Sequence, residues 1–203
     1  MLVWLTGALV FCGASLVLAW MLLLPLAAQA RFAATTGAQL QVQGLMGDPF
    51  GGTATVTGWT LRAEESATAP VLARGGAAHA VAPNWSAALE AAPGTRIEIE
   101  KLEISVIEAR LLPDATGRWP LLAVCSAAGL PYERGGAVGS APRVRIKHLH
   151  LRVENLVVRD AASGRETRVR VDWTGDFTDL DHLRPVVTAL LAASRTAGRA
   201  GSR

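Results

Sequence analysis

The chain has 203 residues with 20 basic and 17 acidic side chains, a formal net charge of +3. A balance this close excludes a polyelectrolyte binder of nucleic acid. Its two cysteines, Cys12 and Cys125, cannot form a disulfide framework, because Cys12 lies in an apolar N-terminal run and leaves Cys125 alone in the remainder.

That apolar run comes first. Met1 to Ala30 contains no Asp, Glu, Lys, Arg or His, and the first charge is Arg31. At about 1.5 Å per helical residue, Val3 to Leu24 covers ~33 Å, against a hydrocarbon core of about 30 Å. A membrane anchor over residues 1–30 is expected, running through Val3, Trp4, Leu16, Trp20 and Leu24, with the two tryptophans toward the interfaces. Ala28-Gln29-Ala30 has the form of a signal-peptidase site, but the run has no basic n-region and is longer than the roughly 7–15 apolar residues of a signal peptide. Phe11 before Cys12 argues against a lipoprotein signal. Charge alone leaves the orientation open. Arg31 favours a cytoplasmic C-terminal part, yet large domains translocate largely regardless of charge.

Strands follow. Gln39 to Gln43 alternates around Leu40 and Val42, and Thr53 to Leu61 alternates through Ala54 and Val56 before changing phase across Gly58 to Trp59 and Leu61. A bulge is expected at Gly58. The turn-rich Gly47-Asp48-Pro49-Phe50-Gly51-Gly52 between them predicts a hairpin. Ser66 to Gly94, rich in Ala, Gly and Pro, reads as long loops or short helices. Thr95 to Ala109 is a strand with Ile97 and Ile99 on odd positions, then Leu102, Ile104 and Val106 on even ones. The phase slip at Glu100-Lys101 predicts a bulge or a bend.

Arg118 to Pro142, with Pro120, Pro131 and Gly135-Gly136, again reads as loop or short helix. From Arg143 to Asp160 the chain is extended, with Leu149, Leu151 and Val153 opposite His150, Arg152 and Glu154. Thr167 to Trp173 places Val169, Val171 and Trp173 on one face and Arg168, Arg170 and Asp172 on the other, the mark of a half-buried strand. Leu183, Val186, Val187, Leu190 and Leu191 predict an amphipathic helix over Asp181 to Ser194, with Pro185 in its first turn, where a missing N–H does no harm. The expected organisation is an anchor over 1–30, a β-rich domain over 31–195 and a flexible basic tail over 196–203. The fold class is mainly β (α+β): an N-terminal transmembrane helix, a twisted antiparallel sheet with bulged strands, and a C-terminal amphipathic helix.

Catalytic signatures are absent. His148 and His150 share a strand face, but a metal site needs further ligands at recognisable spacing, and solvated histidines explain the pair more simply. Cys125, in the apolar Leu122-Ala123-Val124-Cys125, reads as a small buried residue, because no motif places a base beside it. Gly47, Gly51 and Gly52 lack the strand, helix and Lys of a phosphate loop. Seven arginines, Arg143, Arg145, Arg152, Arg159, Arg165, Arg168 and Arg170, crowd the last two strands. A sheet face carrying cross-strand ion pairs accounts for them better than a surface for anionic head groups.

Three stretches together resemble the AsmA-like family of bacterial envelope proteins: GDPFGGTATVTGWTLR (47–62), TRIEIEKLEISVIEARLL (95–112) and RVRIKHLHLRVENLVVRDAASGRETRVRVDWTGDFTDL (143–180). The first is similar to the turn and opening strand that follow the family's N-terminal span, the second to its paired strands, and the third to its recurrent strand–turn–strand unit. The resemblance implies a span in the inner membrane, residues 31–203 in the periplasm and an apolar groove of the kind implicated in moving lipids.

The function expected is therefore non-enzymatic, without cofactor or metal: a single-span inner-membrane protein acting in envelope biogenesis or lipid handling. Its apolar concave face would be Leu149, Leu151, Val153, Val169, Val171 and Trp173, and its partners the membrane and phospholipid acyl chains, with no nucleic acid. The alternative is an adaptor subunit of an envelope or secretion complex that pairs with a partner protein through a sheet edge.

Overall fold

A computed structural model describes residues 26–48, 52–64, 69–83, 95–138, 142–159 and 164–200. The expected span, including Val3, Trp4, Leu16, Trp20 and Leu24, lies outside the described residues. No helix among the described residues is long and apolar enough to cross a membrane. Helix α1 covers 26–36. Its Phe32 packs against the domain core, and Ala38, just beyond Gly37, is 1% exposed.

Six strands follow in one sheet: β1 (Gln39–Asp48), β2 (Thr53–Arg62), β3 (Val71–Val81), β4 (Arg96–Arg110), β5 (Arg143–Arg159) and β6 (Glu166–Leu180). Helix α2 (Pro120–Ala127) lies between β4 and β5, and α3 (Arg184–Ala200) closes the chain. Strand order equals sequence order. Among the described residues the fold is thus mainly β, with three helices and a six-stranded sheet.

The sheet is mixed, which corrects the antiparallel expectation. β4 and β5 run parallel, Arg96 opposite Arg143 and Arg110 opposite Val157, while every other neighbouring pair is antiparallel. A parallel pair needs a crossover connection. Residues 111–142 supply it, with α2 inside. Trp119 holds the N-cap position of α2 in extended backbone, without a side-chain hydrogen bond, and Pro120 opens the helix, where its missing N–H leaves no bond unmade.

The predicted hairpin forms, Asp48 pairing with Thr53. Gly58 is not a bulge. The registers of β2 with β1 and β3 run unbroken past it, and it adopts φ +57° instead. Left-handed backbone at one glycine changes the strand's phase without inserting a residue. The slip at Glu100-Lys101 is a phase change shared by two strands, without a bulge in their pairing. Both residues are exposed, β5 slips alongside between buried Ile146 and Leu149, and the β4–β5 register is unchanged.

A second slip lies farther along. Val106 and Ala109 of β4, three residues apart, are both buried, as are Val153 and Leu156 of β5. β6 accommodates this with one extra residue, because its register shifts between Val153 and Asn155 and Asp172 adopts φ +40°. The Asn155 Nδ2 donates to the Ile107 carbonyl at 2.9 Å and helps to satisfy the backbone where the phase changes.

β3 is a strand that the composition concealed. Val-Leu-Ala-Arg-Gly-Gly-Ala-Ala-His-Ala-Val has few large side chains to show alternation, and its small residues make room for a neighbour described below. The C-terminal helix also extends past the expected Ser194, so that part of the expected tail is helical up to Ala200. The six residues beyond Ser194 make under two further turns, in which Arg195, Ala197, Arg199 and Ala200 are good helix formers and outweigh Gly198.

Candidate functional site

The most distinctive feature of the described residues is a cleft of about 330 Å³ between one sheet face and the two later helices. Every strand from β1 to β5 contributes to its walls. Leu40, Val56, Trp59, Ile104, Val106 and Leu151 are representative of the sheet side. α2 contributes Leu121, Leu122 and Cys125, and α3 contributes Val186, Val187 and Leu190. The exposed wall is wholly apolar, and the cleft is partly open to solvent.

Phase changes in the strands create this wall. Val56 and Trp59 stand three residues apart in β2, as do Val106 and Ala109 in β4, and all four line the cleft. Strict alternation would have sent one of each pair to the other face. The left-handed Gly58 and the second slip bring them back to the same side.

β3 is thin where Trp59 lies. A Cβ on Gly75 would fall 2.3 Å from the Trp59 ring, so only glycine fits there. The Trp59 Nε1–H is buried and has no hydrogen-bond partner among the described residues. Buried tryptophan N–H groups usually find one.

The apolar face expected from sequence is only partly this wall. Leu149, Leu151 and Val153 are buried in the core, at 5%, 8% and 1% exposure, and Leu151 and Val153 line the cleft. Leu149 packs in the core outside it. Val169, Val171 and Trp173 are half-buried and do not line it. Trp173 stacks at an angle on Phe177, ring centroids 6.1 Å apart, at the β6 side of the sheet. The face is therefore neither an open concavity nor a closed core, because α3 covers it and leaves a gap.

Leu40, Ala73 and Ala78 belong to the wall without having been singled out as site residues. The signal for Leu40 was its place in a short alternating strand. Alanines carry no such signal, since a small side chain reads the same in loop and wall.

The polar groups lie elsewhere. Cys125 borders the cleft, and burial pushes its thiol up to about 11. His148 and His150 are exposed, and the His150 Nδ1 pairs with the Asp176 Oδ1 at 2.7 Å. Among the described residues no three His, Cys, Asp or Glu side chains are placed to hold a metal ion. Three of the seven arginines are engaged in ion pairs: Arg145 with Asp179 at 2.7 Å, Arg168 with Glu108 at 3.0 Å and Arg170 with Asp172 at 2.6 Å. Glu103, hydrogen-bonded by Lys101 at 2.6 Å, has its carboxyl held below the usual range by that lysine. This is the charged sheet face read from the sequence, a set of exposed pairs of modest value each.

No family model, curated protein or solved structure matches the chain.

Proposed function

We propose that this chain is an AsmA-like, single-span inner-membrane protein whose periplasmic β domain shelters a lipid acyl chain in the cleft beneath α2 and α3. The reading is non-enzymatic and needs no cofactor. The observation that carries it is the wholly apolar wall around about 330 Å³. Ligand pockets run from about 300 to 1,000 Å³, and an apolar cavity of about 150 Å³ is enough to bind benzene. Water gains nothing there, as the wall offers it no hydrogen bonds. An alkyl chain fills such a space at no polar cost.

The sequence supports the same reading from the other end. An apolar run long enough for a bilayer precedes α1, and β1 begins two residues after that helix. Residue Leu40 of the cleft is therefore within a short helix's length of the expected membrane surface.

The test uses cells fed a diazirine-bearing fatty acid. Irradiation should crosslink phospholipid to cleft residues such as Val106 and Leu190 in the full chain. Leu151→Asp and, without a buried charge, Ala78→Phe should both remove those crosslinks. Crosslinks confined to residues 1–25 would defeat the proposal. The adaptor alternative has one specific observation in its favour: β1 is a ten-residue edge strand carrying Met46 at 69% exposure. It predicts hydrogen-exchange protection of β1 on complex formation, with no lipid crosslinks.

A further inference from the structure

A second, polar pocket of about 170 Å³ lies at the end of the sheet where β4 and β5 begin. Arg96 and Arg143 line it, together with Gly129, Pro131, Val144 and Asp181. The two arginines are direct partners across the parallel pair, on strands about 4.8 Å apart. Like charges placed opposite one another destabilise a sheet.

Among the described residues no carboxylate forms an ion pair with either arginine. The Arg143 guanidinium donates to the Gly136 carbonyl, at 3.1 Å. Asp181, the one carboxylate on the pocket, is occupied by the His182 Nδ1 at 2.7 Å and the Arg134 Nε at 3.5 Å. Arg134 thus adds a third cation beside the pocket. The N–H groups of Leu183, just before α3, and of Arg184, its first residue, are already used, donating to the Pro131 and Tyr132 carbonyls. The guanidinium groups are therefore what the pocket offers to a ligand.

We propose that Arg96 and Arg143 form a binding site for a phosphate-type oxyanion, either free phosphate or the headgroup of a phospholipid. Guanidinium forks match phosphate oxygens bidentately, and an anion between the two arginines converts their repulsion into paired attraction. At about 170 Å³ the pocket has room for one such group. Its position is two residues from the cleft, as Asp181 faces the pocket and Leu183 lines the cleft. The site does not depend on the cleft holding a chain.

Calorimetry on the full chain in amphipol, at constant ionic strength, tests this with two probes: inorganic phosphate and dihexanoylphosphatidylglycerol. Arg96→Gln with Arg143→Gln should weaken binding of whichever probe binds by roughly tenfold or more. Equal affinity for the two probes identifies a free anion as the ligand, and tighter binding of the lipid identifies a headgroup. Asp181→Asn, which leaves both arginines in place and removes the competing carboxylate, should tighten binding. Failure of both probes to bind, or full affinity in the double variant, overturns the site.

Discussion

Gly75 of β3 lies so close to Trp59 of β2 that a Cβ added to it would meet the indole at 2.3 Å and the Ser105 carbonyl oxygen at 2.3 Å. One side of that clash is backbone and cannot step aside. Gly75→Ala should therefore destabilise the domain by about 1–3 kcal/mol, the usual cost of overpacking, although alanine is no worse than glycine for strand propensity. Thermal melts decide this. A variant as stable as the parent would show that the Trp59 ring has an alternative place.

Trp59 itself invites a contrasting substitution. Trp59→Phe keeps an aromatic ring on the wall but removes the unpartnered Nε1–H, which costs about 1–3 kcal/mol when buried without a bond. The loss of ring area and the relief of the orphan donor oppose each other. The expected change is within about 1 kcal/mol, whereas Trp59→Ala should cost about 3–5 kcal/mol. Equal, large losses for both would mean that the N–H has a partner in solution.

Cys125 should be chemically quiet. With its thiol raised from the ordinary 9.0 to about 11, its thiolate fraction at neutral pH is on the order of 100-fold below that of a free cysteine. Iodoacetamide should label it quickly in denaturant and barely at all in the native protein. Rapid native labelling, read by mass spectrometry, would mean that α2 opens readily.

Asp114 holds the turn that leads into α2. Its Oδ1 accepts from the Thr116 hydroxyl at 2.7 Å, the Thr116 N–H at 2.8 Å and the Arg118 N–H at 3.0 Å. The Thr116 hydrogen bond foremost holds its carboxyl below the usual range. A depressed carboxylate stabilises the fold above its unfolded value near 3.8, and the contribution fades as pH falls through the lower folded value. Asp114→Ala should lower the melting temperature at pH 7 and lose that difference in strong acid. A difference that persists there unchanged would place the effect in packing instead.

How much of this was legible depended on side-chain size. β4, β5 and β6 could be read because Ile, Leu and Val alternate with Arg, Glu and His, and α3 because its apolar residues recur at helical spacing. β3 could not, since Ala and Gly give no contrast between faces. Their smallness matters only once Trp59 is seen to fill the space beside Gly75. The cleft was visible only at Leu151 and Val153, whereas Val169, Val171 and Trp173 carried the same alternation and serve a different part of the sheet.

The local order of apolar and polar residues was enough to place β1, β2, β4, β5 and β6 as extended segments and α3 as a helix, to locate the phase changes near Gly58 and Glu100-Lys101, and to show a charged outer face. The tertiary structure alone decided that β4 and β5 run parallel, since the direction of pairing is not written in the pattern of either strand. It also decided that α2 and α3 stand off the sheet far enough to leave an apolar cleft, and that Arg96 meets Arg143. Both depend on residues far apart in the chain, joined only when a crossover and a strand register bring them together.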